Sequence, residues 1–149
     1  MSQTGFRGFD RTLHETHQWL GVIGEVMNDT RSSVTYHALR GTLRALRDRL
    51  PVEEVFDLSA QLPMLIRGIY FEGYRPGNKP EKMDREAFLE RVRDELDAAG
   101  GANPELAIRG VFTAVNREVA VGEVLQVRNA LPSDLRTLWP DPEVTEASG

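Results

Sequence analysis

The chain has no cysteine, and this one absence removes disulfide frameworks, thiolate metal sites and cysteine nucleophiles together. It also lacks any run approaching the roughly eighteen apolar residues needed to cross a bilayer, and its polar N-terminus reaches no apolar segment of signal-peptide type. Together these absences predict a cytoplasmic protein that does not enter the membrane. Lysine is confined to Lys79 and Lys82 among eighteen basic residues, a compositional bias that carries no functional weight. Nowhere do apolar and polar residues alternate strictly over a strand's length, which leaves no pattern for a half-buried strand.

What is present is an ordinary globular composition, 40% hydrophobic and 28% charged over 149 residues, enough for one compact domain or two small ones. The net charge of −5 is uneven: residues 1–75 hold nine basic and nine acidic groups, leaving nine basic and fourteen acidic for residues 76–149. An acidic excess of this kind argues against bulk attraction to nucleic acid or anionic lipid.

The chain resembles itself at an offset of 69 residues. Residues 38–70 align with 107–139 without a gap, and ten of these 33 positions are identical: Ala38/Ala107, Arg40/Arg109, Gly41/Gly110, Ala45/Ala114, Val52/Val121, Glu54/Glu123, Val55/Val124, Leu62/Leu131, Pro63/Pro132 and Arg67/Arg136. Most other pairs exchange like for like, as in Tyr70/Trp139, and upstream the offset still pairs Trp19 with Phe88 and Ile23 with Val92.

Apolar residues recur at three- and four-residue steps, so the expected fold is all-α: two tandem pseudo-symmetric four-helix units packed into one compact helical domain. The first helix is expected over about 10–27 and its copy over 84–98; the second over 34–49 and 105–118. Asn103-Pro104 supplies an N-cap followed by proline at the first helical position. Pro51 opens a third helix with Glu53 and Glu54 in its first turn. Breaks at Leu62-Pro63 and Leu131-Pro132 separate it and its copy from a short fourth helix, because proline lacks an amide donor and disfavours helical geometry in the residue before it. The stripes Ala38/Gly41/Ala45 and Ala107/Gly110/Ala114 predict close approach of another helix. The corresponding organisation is a disordered N-terminus (1–8), a first repeat (9–75), a linker loop (76–82), a second repeat (83–140) and a disordered acidic tail (141–149).

The strings AQLPMLIRGIYFEGYRP and NALPSDLRTLWP, with HALRGTLRALRDRLPVEEV before the first, resemble the bacterial family called domain of unknown function 2267. The resemblance spans about residues 6–140. It implies a helical fold and a prokaryotic source, and brings neither an activity nor catalytic residues.

Four groups of residues invite a chemical reading. His14 and His17 lie three apart on the first helix, one turn beyond Asp10. They fall one residue short of the four-residue histidine step that places two imidazoles on one metal, and His17 reads equally as part of an apolar stripe with Leu13, Leu20 and Ile23, so no metal site is assigned. Arg40, Arg44 and Arg47 share one face of the second helix, with Asp48 beside them; this reads as a solvated face with ion pairs, or as a row for phosphates. Arg40/Arg109, Glu54/Glu123 and Arg67/Arg136 are polar residues present in both copies, and a structural task is expected of them: an arginine can bond carbonyls left free at a proline break. Arg67, Tyr70, Phe71, Tyr74, Arg75 and Arg136 are the candidate binding residues, an aromatic and arginine cluster of the kind that interfaces and clefts use. Against this stands the reading in which Tyr70 and Phe71 cap the core.

No catalytic constellation is present and no cofactor is implied. The first functional reading is a non-enzymatic protein–protein interaction or regulatory module, partnered by itself as a homodimer or by another protein. The second is a small-molecule binder, or an enzyme, with a cleft between the repeats. Nucleic-acid binding through the Arg40, Arg44, Arg47 face is a third, opposed by the net acidity.

Overall fold

The computed structural model describes residues 4–142, so 143–149 of the expected acidic tail and 1–3 of the expected disordered N-terminus lie outside the described residues, while Arg7 and Gly8 of that N-terminus are already helical. Among these residues the chain forms eight helices and no strand. Helix α1 (Arg7–Met27) starts three residues ahead of the Asp10 expected from periodicity. It stops where Asn28 turns left-handed (φ 53°) and the Asp29 amide donates to Gly24 O. Helix α2 (Ser32–Arg49) ends before Pro51, and α3 (Val52–Ser59) follows with its two glutamates in the first turn. Pro63 is the N-cap of α4 (Met64–Phe71), and Pro132 is that of the short α8 (Ser133–Arg136). Helix α5 (Arg85–Asp97) is capped by the Asp84 carboxylate, which accepts from the Ala87 amide, and α6 (Pro104–Glu118) by Asn103, which accepts from the amides of Glu105 and Leu106. Helix α7 (Val121–Asn129) completes the set.

The packing crosses between the two halves of the chain. Helix α1 lies chiefly against α6, α2 against α5 and α6, and α3 against α7. Small residues make these approaches possible. A Cβ on Gly41 would sit 2.8 Å from Cβ and Cγ of Glu95 on α5, and one on Gly110 would sit 3.2 Å from the Ile23 carbonyl oxygen of α1. Trp19, Ile23, Leu39, Leu43, Phe88, Val92, Ile108 and Phe112 are buried in the single core that results. Phe112 stacks on Trp139 with centroids 3.9 Å apart, and the Trp139 indole donates to Asn116.

One expectation needs correcting. The buried stripe of α1 runs Thr12, Thr16, Trp19, Ile23, Met27, while His17 is exposed and Leu13 and Leu20 are half-buried. Threonine can enter such a stripe because its hydroxyl satisfies itself locally: Thr16 donates to Thr12 O at 2.7 Å. The 76–82 loop is held against the first half of the chain. The Glu81 amide donates to Asp48 O at 2.7 Å, and the Lys79 ammonium lies over the Tyr74 ring and within 3.9 Å of the Asp48 carboxylate.

Candidate functional site

Helix α4 is only eight residues long, too short to persist by propensity alone, and it is tied down at both ends. At its start, the Leu65 amide, a first-turn donor without a helical partner, donates to the buried Thr12 hydroxyl of α1 at 2.9 Å. Arg67 reaches back across the proline break, donating from Nε to Ser59 O and from Nη2 to Leu62 O, both at 2.8 Å. At its end, two arginines of α2 collect the carbonyls that have no partner in the helix. Arg44 Nε donates to Ile69 O, while Arg47 Nη1 donates to Tyr70 O and Glu72 O at 2.6 and 2.7 Å. Cations here also meet the negative end of the helix dipole.

Arg47 is therefore not part of a solvated row: it is 6% exposed, with its guanidinium 5.6 Å from the Tyr74 ring centroid and Nε on Asp48. Arg44 also bonds Glu72, and Arg40 lies 3.6 Å from Glu95. The three arginines thus face internal partners instead of forming a free cationic strip. Position 116, the offset counterpart of Arg47, holds asparagine, and the Asn116 amide donates to Pro140 O. A different side chain there performs the same kind of carbonyl capture.

The remaining expected site residues are dispersed. Tyr70 is fully buried and donates its hydroxyl to Val55 O at 2.8 Å, and burial pushes its phenol well above the usual range. Phe71 and Tyr74 are half-buried, packed ring to ring with Phe56 and Tyr70. Arg75 is exposed in the loop, and Arg136 lies on α8 with a buried Nε that has no acceptor. Arg109 bonds Glu105 and Thr137 O. Glu54 and Glu123 approach each other where α3 meets α7, and each buries one carboxylate oxygen without a hydrogen bond. Desolvation raises the pKa of both. Asp57 and Glu53 add to the shift of Glu54, and Glu54 and Asp57 add to that of Glu123. His14 and His17 are exposed, Asp10 accepts from Thr4, and among the described residues no group of three such ligands is placed to hold a metal.

With α4 fixed in this way, its outer face and the first turns of α1 enclose a groove of 530 Å³, apolar over most of its surface. Phe9 and Leu13, one turn apart, form one wall, and Met64, Leu65 and Ile69 form the other. Phe9 and Met64 are 52% and 53% exposed, and Phe6 stands on the rim in edge contact with Phe9. The floor contains Gly68, where an added Cβ would meet nothing within 4 Å. No local sequence pattern marks these residues as a site. The available signal was the change from Met64, Leu65 and Gly68 to Ser133, Asp134 and Thr137 at the offset positions. A helix that must only pack inward is polar there.

The family described as Uncharacterized conserved protein (DUF2267) matches residues 16–138. The chain belongs to this family. The match includes all of α4 and begins inside α1, beyond Phe9 and Leu13, so one wall of the groove lies outside it. Comparison with curated proteins gives no match. Among the described residues, no helix is long and apolar enough to cross a membrane.

Proposed function

We propose that this protein is a non-enzymatic helical interaction module that pairs with a second copy of itself through the α1/α4 groove. The observation that carries this reading is Gly68. A glycine inside an eight-residue helix costs about 1 kcal/mol relative to alanine, and no neighbour in the chain forbids a side chain at that position. Its absence leaves the groove floor open for close approach by another helix. The apolar walls support the same conclusion, since contiguous exposed apolar surface of this kind marks association sites. Phe9 of the groove wall and its neighbour Phe6 are both more than half exposed, so apolar side chains and the open glycine position share one region of the surface. That is the self-complementary arrangement a twofold pair requires.

Static light scattering on the purified chain, run with Gly68→Gln and Leu65→Glu, tests this. The wild type is expected at twice its 16.7 kDa mass. Gly68→Gln should run as a monomer while melting at a higher temperature, because glutamine is the better helix former. That combination separates association from folding. A wild type that is monomeric at high micromolar concentration refutes self-pairing.

A further inference from the structure

A second concavity lies at the N-terminal end of α4, where α1, the proline break and the end of α6 converge. Its volume is 290 Å³ and its lining is mainly polar: Arg11, Glu15, Trp19, Gln61, Arg67 and Glu118 contribute side chains. Elements from both halves of the chain therefore build it, whereas the apolar groove uses only α1, α4 and their flanks.

Its donors are unevenly spent. Trp19, fully buried at the floor, has an indole N–H with no acceptor, a state that native structures seldom leave unrelieved. Phenylalanine at the offset position 88 fills the corresponding core place without a donor, so packing alone does not call for an indole. Gln61 uses its carbonyl oxygen on the Ala120 amide, which fixes the side chain and leaves its NH₂ group without a described partner. Arg67 is held through Nε and Nη2 by the carbonyls of the proline break, leaving Nη1 unengaged on a guanidinium that is already oriented. Arg11 and Glu15 are only loosely paired at 3.9 Å, and among the described residues Glu118 has no hydrogen bond or ion pair.

Two guanidinium groups and two carboxylates around one small cleft select by charge. A plain anion meets Glu15 and Glu118, and a plain cation meets Arg11 and Arg67. A compact molecule carrying both signs satisfies all four. We propose that this cleft binds a small zwitterion of the free α-amino-acid class. Its carboxylate is taken by Arg67 Nη1, Arg11 and the Gln61 amide, its ammonium lies between Glu15 and Glu118, and the buried Trp19 ring lies beneath it as a reporter of occupancy. The volume lies at the small end of ligand pockets, which suits such a molecule. This proposal is independent of pairing through the groove.

The test uses the ¹⁵N-labelled full chain. It has two indole N–H resonances, from Trp19 and Trp139, assigned with Trp139→Phe. Glycine, alanine, serine and glutamine are titrated in turn, with acetate and methylammonium as half-molecule controls. At least one amino acid should shift the Trp19 resonance saturably while that of Trp139 stays in place. Acetate and methylammonium should each bind at least about tenfold more weakly, and Glu118→Gln should weaken the amino acid about tenfold with an unchanged melting temperature. The proposal is overturned if no amino acid gives a saturable shift, if acetate binds as tightly as the amino acid, or if Glu118→Gln leaves the affinity unaltered.

Discussion

Replacing Arg47 with methionine keeps the aliphatic stem and removes the guanidinium, so it isolates the carbonyl capture that secures α4. Three hydrogen bonds from a charged donor are lost, to Tyr70 O, Glu72 O and the Asp48 carboxylate. At about 1.5 to 3 kcal/mol each, the two carbonyl bonds alone account for a gross loss of about 3 to 6 kcal/mol. Part returns, because a cation 6% exposed no longer has to be desolvated, and Asp48 keeps Arg91 at 2.8 Å. The net expectation is about 2 to 4 kcal/mol, a large share of the roughly 5 to 15 kcal/mol available to a domain. For a chain of this length it corresponds to a fall in Tm of roughly 5 to 15 °C. Urea denaturation measures the free energy, and native-state hydrogen exchange locates it: amides of the last turn of α4 should lose protection before those of α2 and α6. Since α4 forms one wall of the groove, self-association should weaken in parallel. A stability loss below about 1 kcal/mol, or unchanged exchange in α4, would show that the carbonyls find other partners and that the clamp is not what holds the helix.

The two arginines paired by the internal offset should behave differently: Arg67→Met is expected to cost about 2 kcal/mol in urea denaturation because two carbonyls lose a charged donor, whereas Arg136→Met should cost less, its Nε having no acceptor to lose. Equal losses would contradict this account. Glu54→Gln with Glu123→Gln should raise Tm at neutral pH by about 2 °C. Their pKa values are raised in the fold, so their stabilising contribution is intact below the ordinary carboxylate range and is lost as pH rises through the folded-state values. Removing the charge therefore helps only above that window, despite some loss of favourable dipole interaction at the first turns of α3 and α7. A melting curve showing the gain at pH 3 as well as at pH 7 rejects the assignment.

The helices were legible because their signals are local: apolar spacing, the Asn103-Pro104 cap and prolines that cannot continue a helix. The all-α class followed from these alone. Arg47 was not legible as a buried residue, since three arginines on one helical face look like solvent surface until a second element is placed over them. The substitution by Asn116 was a clue, as asparagine shares with arginine the capacity to donate to a carbonyl but not the charge. The α1 stripe departs from apolar spacing because Thr12 and Thr16 lie inside it with hydroxyls engaged. His37 drew no attention in the sequence, yet its Nδ1 meets Glu95 at 2.6 Å, a contact 58 residues apart that no local pattern encodes. The groove was missed for the opposite reason. Met64 and Leu65 look like ordinary core residues in sequence, and only the packing of α4 reveals which face is left outside.

The crossed packing of α1 on α6 and α2 on α5 bears on what could survive a cut in the chain. Cleaving the connection between α4 and α5 would not release two miniature proteins, because each fragment's principal helix contacts lie on the other fragment. The fragments would have to find each other in order to fold, and their joint stability would depend on concentration as in an obligate dimer. Covalent fusion replaces that concentration with a fixed local one. A single chain therefore keeps the two halves in contact at any dilution, where separate fragments would come apart.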